Sequence, residues 1–245
     1  MIILIAFGTF LSTLFGGWVA LRFKDKLHLV LGFSAGAVIS VAFFDLMPEA
    51  IALGDGRFDP SAILQFTALG FIVYLILDRL VFFHAHHDDV EPEHTPHLSH
   101  PRRGILGASS LVLHSFLDGV AIGLAFQVSA SVGGVVAVAV LVHDFSDGIN
   151  TVNVILKNAG GARFAMRWLF VVAVAPILGA VSTLFFSLEQ SSLAVILSIF
   201  AGFFLYIGAT DLIPESHHAH PKLITTVMTL LGMLVLYLAI QFAGA

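Results

Sequence analysis

Residues 104–156 read GILGASSLVLHSFLDGVAIGLAFQVSASVGGVVAVAVLVHDFSDGINTVNVIL. Two stretches inside them, His114-Ser115-Phe116-Leu117-Asp118-Gly119 and His143-Asp144-Phe145-Ser146-Asp147-Gly148, fit one pattern, His-x-Phe-x-Asp-Gly, at an offset of 29 residues. In each copy His and Asp are four apart and share one face of a helix. The flanking residues are apolar enough for lipid, where ionisable groups are expensive and usually functional. Neutral imidazole and carboxylate suit borderline divalent metals. Two ligands from each of two helices can close a tetrahedron, with His114 and Asp118 facing His143 and Asp147. Asp144 follows His143 directly and points roughly 100° away. It is placed for a second ion or as an outer partner holding an imidazole. Ser115 occupies the matching position in the earlier copy. Gly119 and Gly148 close the two motifs and are expected to let these two helices approach closely. Asn150 and Asn153 extend the polar face of the later one.

Composition agrees with a lipid environment. The chain has 245 residues, 58% hydrophobic and 11% charged, with a mean hydropathy of +0.98; a soluble domain averages about 25% charged residues. Long apolar runs, rather than short alternating segments, indicate helices and not a barrel. The absence of cysteine excludes disulfides and thiolate metal sites and leaves N and O ligands. The net charge of −5 comes with no basic patch for nucleic acid. Arg22, the first basic residue, follows the first apolar run, so no cleavable leader is expected.

At about 20 apolar residues per crossing, the spans fall at 2–21, 28–53, 61–83, 104–127, 131–156, 168–188, 191–214 and 223–243. Ten of the 11 basic residues lie on one side: Arg22, Lys24, Lys26, Arg79, Arg102, Arg103, Lys157, Arg163, Arg167 and Lys222. That side is cytoplasmic by the positive-inside rule, which puts both termini outside. The segment 84–101, HAHHDDVEPEHTPHLSHP, holds six His (His84, His86, His87, His94, His97, His100), four acids and three Pro. It is read as a disordered cytoplasmic linker. His217, His218 and His220 lie in the last cytoplasmic connection. Both His clusters are candidates for weak, exchangeable metal capture on the same side.

Asp45-Leu46-Met47-Pro48-Glu49-Ala50 recurs as Asp211-Leu212-Ile213-Pro214-Glu215-Ser216, 166 residues later. The second span runs outward and the seventh inward, so the copies are antiparallel across the membrane, as in inverted-repeat transporters. Residues 1–83 and 163–245 are thus read as related three-helix halves around spans four and five (104–157), with the His-rich loop at 84–103, all in a single transmembrane domain. Each Pro removes the helical partner of a carbonyl four residues earlier (Phe44, Thr210), which is tolerated where backbone lines a cavity. Asp45 and Glu49 would then mark the outer mouth of a cation path, Asp211 and Glu215 the inner mouth, and Asn150 its wall.

Burying acids needs a reason. A central Asp costs about 2.5–3.5 kcal/mol on insertion scales, while polar contacts between helices return about 0.6–2 kcal/mol each. Stability alone does not account for five ionisable residues in two facing segments. Two other functions fit intramembrane His and Asp: a zinc-dependent hydrolase, which needs an open coordination position, and a membrane metal sensor using the His-rich loop.

At these motifs the chain resembles the ZIP (Zrt/Irt-like) family of divalent metal transporters. The similarity covers essentially the whole chain: His114-Ser-x-x-Asp118-Gly119, His143-Asp144-x-x-Asp147-Gly148, the Leu-x-Pro-Glu ends of spans two and seven, and the His-rich loop between spans three and four. The resemblance implies an all-α membrane protein of eight helices arranged 3+2+3, both termini outside, and a homodimer. It implies a primary site of His114, Asp118, His143 and Asp147 and a second site of Ser115, Asp144 and a bridging Asp147. The chain has Ala175 and Val38 where some binuclear members carry ligands. The reading is a non-enzymatic importer in the bacterial inner membrane, with Zn²⁺ as leading substrate and Fe²⁺, Mn²⁺, Co²⁺, Ni²⁺ or Cd²⁺ as others, and no nucleic-acid partner.

Overall fold

The structure is a computed structural model, and it describes residues 2–22, 27–86, 101–158, 161–218 and 223–243. These are helical throughout apart from short turns, and eight helices are long and apolar enough to cross a membrane. They are α1 (Ile2–Arg22), α2 (Leu27–Val41, running on through Met47–Gly54), α3 (Pro60–His86), α4 (Pro101–Val128), α5 (Ala130–Asn158), α6 (Ala162–Ser182), α7 (Gln190–Tyr206, running on through Ile213–His218) and α8 (Leu223–Ala243). The protein is an all-α integral membrane protein.

Several boundaries differ from expectation. The linker expected from residue 84 begins as the last turn of α3, which continues to His86, and α4 starts at Pro101. His87, His94, His97, His100 and His220 lie outside the described residues. Helix α6 starts at Ala162, six residues before the apolar run at 168. Arg163 and Arg167 are therefore helical rather than in the connection. Their long stems can follow the apolar surface while the charges reach water, which a hydropathy window does not register.

The two Pro-containing motifs leave one signature. In α2 the helix widens into a π turn at Ala42–Leu46, and in α7 at Ile207–Leu212. The Met47 N–H donates to the Ala42 carbonyl and the Ile213 N–H to the Gly208 carbonyl, each five residues back. Pro48 and Pro214 have no N–H to give, and their rings would clash with the carbonyl four residues back. Widening the turn by one residue relieves the clash, and such bulges concentrate at functional sites. Asp45 and Asp211 sit inside the two widened turns. Between α2 and α3 the chain reverses at Gly56, whose φ of 77° favours a residue without a Cβ.

The helices pack as two sets of four. In one, α1 packs on α5, α5 on α4, α4 on α6, and α6 on α1; in the other, α2 packs on α8, α3 on α7, and the end of α2 on α7. Contacts between the sets are sparser and run mainly through α2 against α5. Exchanging α1 with α6, α2 with α7, α3 with α8 and α4 with α5 converts the α1–α5 pair into α6–α4 and the α2–α8 pair into α7–α3. Each of these four crossings is made by two glycines, each set against a carbonyl of the other helix. Gly16 meets Phe145 and Gly148 meets Thr13; Gly119 meets Pro176 and Gly179 meets Phe116. Gly36 meets Thr229 and Gly232 meets Phe33; Gly70 meets Ile199 and Gly202 meets Thr67. Such contact lets backbones approach where lipid removes any hydrophobic driving force between helices. Gly119 and Gly148 thus do not bring α4 and α5 together, as the motif suggested; they seat those helices on α6 and α1. Helices α2, α5 and α7 are the most enclosed, and α1, α3 and α8 expose most of their surface.

A Cβ at Gly16 would strike the Phe145 carbonyl, whereas one at Gly134 would meet nothing within 4 Å. Overpacking of this kind costs about 1–3 kcal/mol. Gly16→Ala is expected to lower the thermal midpoint in detergent by at least about 2 °C, with Gly134→Ala unchanged; equal midpoints would remove the crossing from the account.

Candidate metal centre

Helices α4 and α5 bring both halves of the repeated motif to one point. His114, Asp118, His143 and Asp147 are buried and offer ligand atoms that all lie within 4.8 Å of one another. His114 Nε2 is 3.2 Å from Asp118 Oδ2 and 3.1 Å from Asp147 Oδ2, and His143 Nε2 is 3.3 Å from Asp118 Oδ2. A tetrahedral ion with bonds of about 2.0–2.1 Å separates its ligands by about 3.3–3.4 Å, so these three distances match the edges of one coordination shell. Yet none of His114 Nε2, His143 Nε2, Asp118 Oδ2 and Asp147 Oδ2 has a hydrogen-bond partner among the described residues. Two carboxylates also match the charge of one divalent cation.

The far sides of the two imidazoles are held differently. His143 Nδ1 is 3.0 Å from the Ala139 carbonyl, one turn back on its own helix. A carbonyl only accepts, so Nδ1–H donates to it and the neutral ring presents the Nε2 lone pair to the cluster. His114 Nδ1 is 3.1 Å from the Tyr74 hydroxyl on α3. Supporting bonds fix α5 itself: Ser34 Oγ–H on α2 donates to the Val142 carbonyl and Ser146 Oγ–H to Ser34 Oγ, both at 3.0 Å. Thr151 donates to the Asp147 carbonyl at 2.7 Å.

The remaining sequence-derived residues divide by position. Asp144 is completely buried, with its nearer oxygen 4.0 Å from His143 Nε2. Neither of its oxygens has a hydrogen-bond partner among the described residues, and the same holds for Ser115 Oγ and Asn150 Oδ1. Asp144 therefore lies beside the four-ligand cluster and not in it, and Ser115, next to His114 in the chain, is fully buried. Asp45 and Glu49 are half-buried and are charged neighbours of one another. Asp211, also half-buried, is within electrostatic reach of His114 and Asp147; Glu215 is exposed. His217 is engaged locally. Its Nδ1–H donates to the Ile213 carbonyl at 2.9 Å, and Nε2 lies 3.4 Å from Thr226 Oγ1.

Three groups near the centre are not singled out by the motifs. Tyr206 O–H on α7 donates to Asp78 Oδ2 at 2.8 Å, and Tyr74 stacks against Tyr206 with ring centroids 5.2 Å apart. Asp78 is in turn a charged neighbour of Asp211. In the sequence Asp78-Arg79 reads as the trimmed end of a span. The available signal was the spacing of Tyr74 and Asp78, four apart on one face of an otherwise apolar helix.

A buried imidazole–carboxylate cluster at the meeting of membrane helices could hold a divalent metal ion. The ZIP zinc transporter family model matches residues 84–239, well over half of the chain, and the chain belongs to that family. The chain is 27% identical over 246 residues to the zinc transporter ZupT of Shigella dysenteriae, covering 96% of this chain and 92% of that protein. It is 28% identical over 122 residues to the zinc transporter foi of Drosophila melanogaster, covering 50% of this chain and 17% of that protein. With human zinc transporter ZIP6 the figures are 31% over 107 residues, 43% and 14%. The chain thus spans nearly all of ZupT and under a fifth of the two animal proteins. The family is one of transporters rather than enzymes, and divalent metal transport is the activity it supports.

Asp118→Ala and His143→Ala are each expected to weaken Zn²⁺ binding more than about 100-fold in calorimetry. Asp144→Asn is expected to weaken it less, since neither Asp144 oxygen hydrogen-bonds a ligand among the described residues. Equal losses for all three would contradict the division between the cluster and its surroundings.

Proposed function

We propose that this chain carries Zn²⁺ into the cytoplasm across a bacterial inner membrane, through the four-residue centre of His114, Asp118, His143 and Asp147. The observation that carries the reading is the set of three 3.1–3.3 Å separations among buried ligand atoms, which suits one tetrahedral ion with N and O donors. Fe²⁺, Mn²⁺, Co²⁺, Ni²⁺ and Cd²⁺ remain alternative substrates, since the donor set selects borderline metals as a group. Four ligands fill a tetrahedron and leave no open position for a metal-activated water, which speaks against hydrolysis. We assign one ion to the centre. Asp144 and Ser115 flank it, and an ionised Asp144 would add attraction for a cation.

The path follows the acids. Asp45 and Glu49 attract the ion at the outer mouth, the centre strips and holds it, and Asp211 with Asp78 receives it on the side of the His-rich connection. Asn150 lines the way, Glu215 marks the inner end, and the His of 84–100 and 217–220 take up the released ion. The odd-numbered connections are cytoplasmic and the termini outside, on the charge distribution. The reciprocal glycine crossings support an inverted 3+2+3 repeat, with residues 1–83 and 163–245 as its halves. The sparse seam between the two packing sets supports alternating access by movement of α1, α4, α5 and α6 as a body against α2, α3, α7 and α8.

The test is ⁶⁵Zn²⁺ uptake by the purified protein in liposomes. Wild-type protein is expected to accumulate zinc and His143→Ala to match empty vesicles, with Co²⁺ and Cd²⁺ competing. Wild-type vesicles impermeable to every divalent ion would contradict the function.

A further inference from the structure

We propose that Tyr74 is a positioning residue that aims the His114 imidazole at the ion from another helix, through a hydrogen bond that His143, held by its own helix, does without. This rests on the reading of the four-residue centre as a transport site. The two Nδ1 atoms have unlike partners. His143 faces the Ala139 carbonyl, which only accepts, so a neutral His143 keeps its proton on Nδ1 and its lone pair on the ion. His114 faces the hydroxyl of Tyr74 at 3.1 Å, which both donates and accepts. With metal bound, His114 Nδ1–H donates to the Tyr74 oxygen. The hold on His114 thus responds to the position of another helix, whereas the hold on His143 does not.

Geometry makes this response conditional on the helices. Ala139 lies on the same helix as His143, so that bond survives any movement of α5. Tyr74 stands on α3 and His114 on α4, which belong to different packing sets. Their bond spans the seam, and sliding of one set against the other breaks it. The Tyr74 ring is fixed on its own side, edge-on to His114 and packed against Phe203 and Tyr206 at centroid distances of 5.3 and 5.2 Å. Metal polarises the bound ring and strengthens its outer hydrogen bond, so losing the hydroxyl weakens the loaded state most; outer partners of this kind are worth about 10–100-fold in metal affinity.

Tyr74→Phe keeps the ring and removes only the hydroxyl. Tyr206→Phe is the control for Kd alone, since its hydroxyl bonds Asp78 on the exit side and none of the four ligands. Zn²⁺ affinity of the full chain is measured in detergent against a chelator that lets only the tightest site fill, with His143→Ala as the site-less reference. Uptake kinetics are measured in liposomes. Tyr74→Phe is expected to raise Kd and KM about 10-fold with Vmax no lower than half of wild type, and Tyr206→Phe to leave Kd within two-fold. A Tyr74→Phe Kd within two-fold of wild type, an equal loss in Tyr206→Phe, or a fall in Vmax at unchanged KM would overturn the assignment. Wild-type protein that binds zinc but imports none would defeat the transport reading, while the binding comparison still decides Tyr74.

Discussion

The structure depends on one constraint: two carboxylates and two imidazoles share a point inside a body made for lipid. A central Asp costs about 2.5–3.5 kcal/mol on insertion scales, and polar contacts between helices return less. A divalent cation that satisfied all four ligand atoms at once would balance such an arrangement, and a cation so held would be stripped of its water. Everything else about the centre serves this. The Ala139 carbonyl orients one imidazole and Tyr74 the other, and serine and threonine hydroxyls tie α5 in place.

The helices around the centre are firm within each group and pack more sparsely between groups. Glycine supplies the firmness. Each of four crossings seats two glycines against opposing carbonyls, a contact that tolerates no added Cβ. Alongside an apolar core shared by α2, α4, α5 and α7, the polar ties across the seam are hydroxyl bonds, Ser34 with Val142 and Ser146 on one flank and Tyr74 with His114 on the other. These can be broken and remade at modest cost, since a typical hydrogen bond contributes about 0.5–1.5 kcal/mol net. The widened turns at Asp45 and Asp211 occupy equivalent places on α2 and α7, so both acids are displayed by one backbone device used twice.

Much of this was legible in the chain. The eight spans followed from hydropathy, and His114, Asp118, His143 and Asp147 from their four-residue spacing on apolar helices. The recurrence of Asp45-Leu46-Met47-Pro48-Glu49 near residue 211 marked where the helix would deform, although the loss of one hydrogen bond did not say that a π turn would result. What stayed hidden depends on tertiary placement. No pattern in α3 says that Tyr74 will face α4, or that Asp78 turns toward Tyr206 rather than toward water beside Arg79. Gly119 and Gly148 looked like the contact between α4 and α5 because they end matched motifs, but the face they occupy belongs to α6 and α1. Helix α6 began early because Arg163 and Arg167 can be helical without being apolar.

The central claim is that these four side chains grip one ion together. Zinc-edge anomalous diffraction from zinc-soaked crystals tests it directly. The account predicts a single strong peak between α4 and α5, about 2.0–2.2 Å from His114 Nε2, His143 Nε2, Asp118 Oδ2 and Asp147 Oδ2. Zinc found only on other side chains, with either imidazole turned away from the carboxylates, would contradict it.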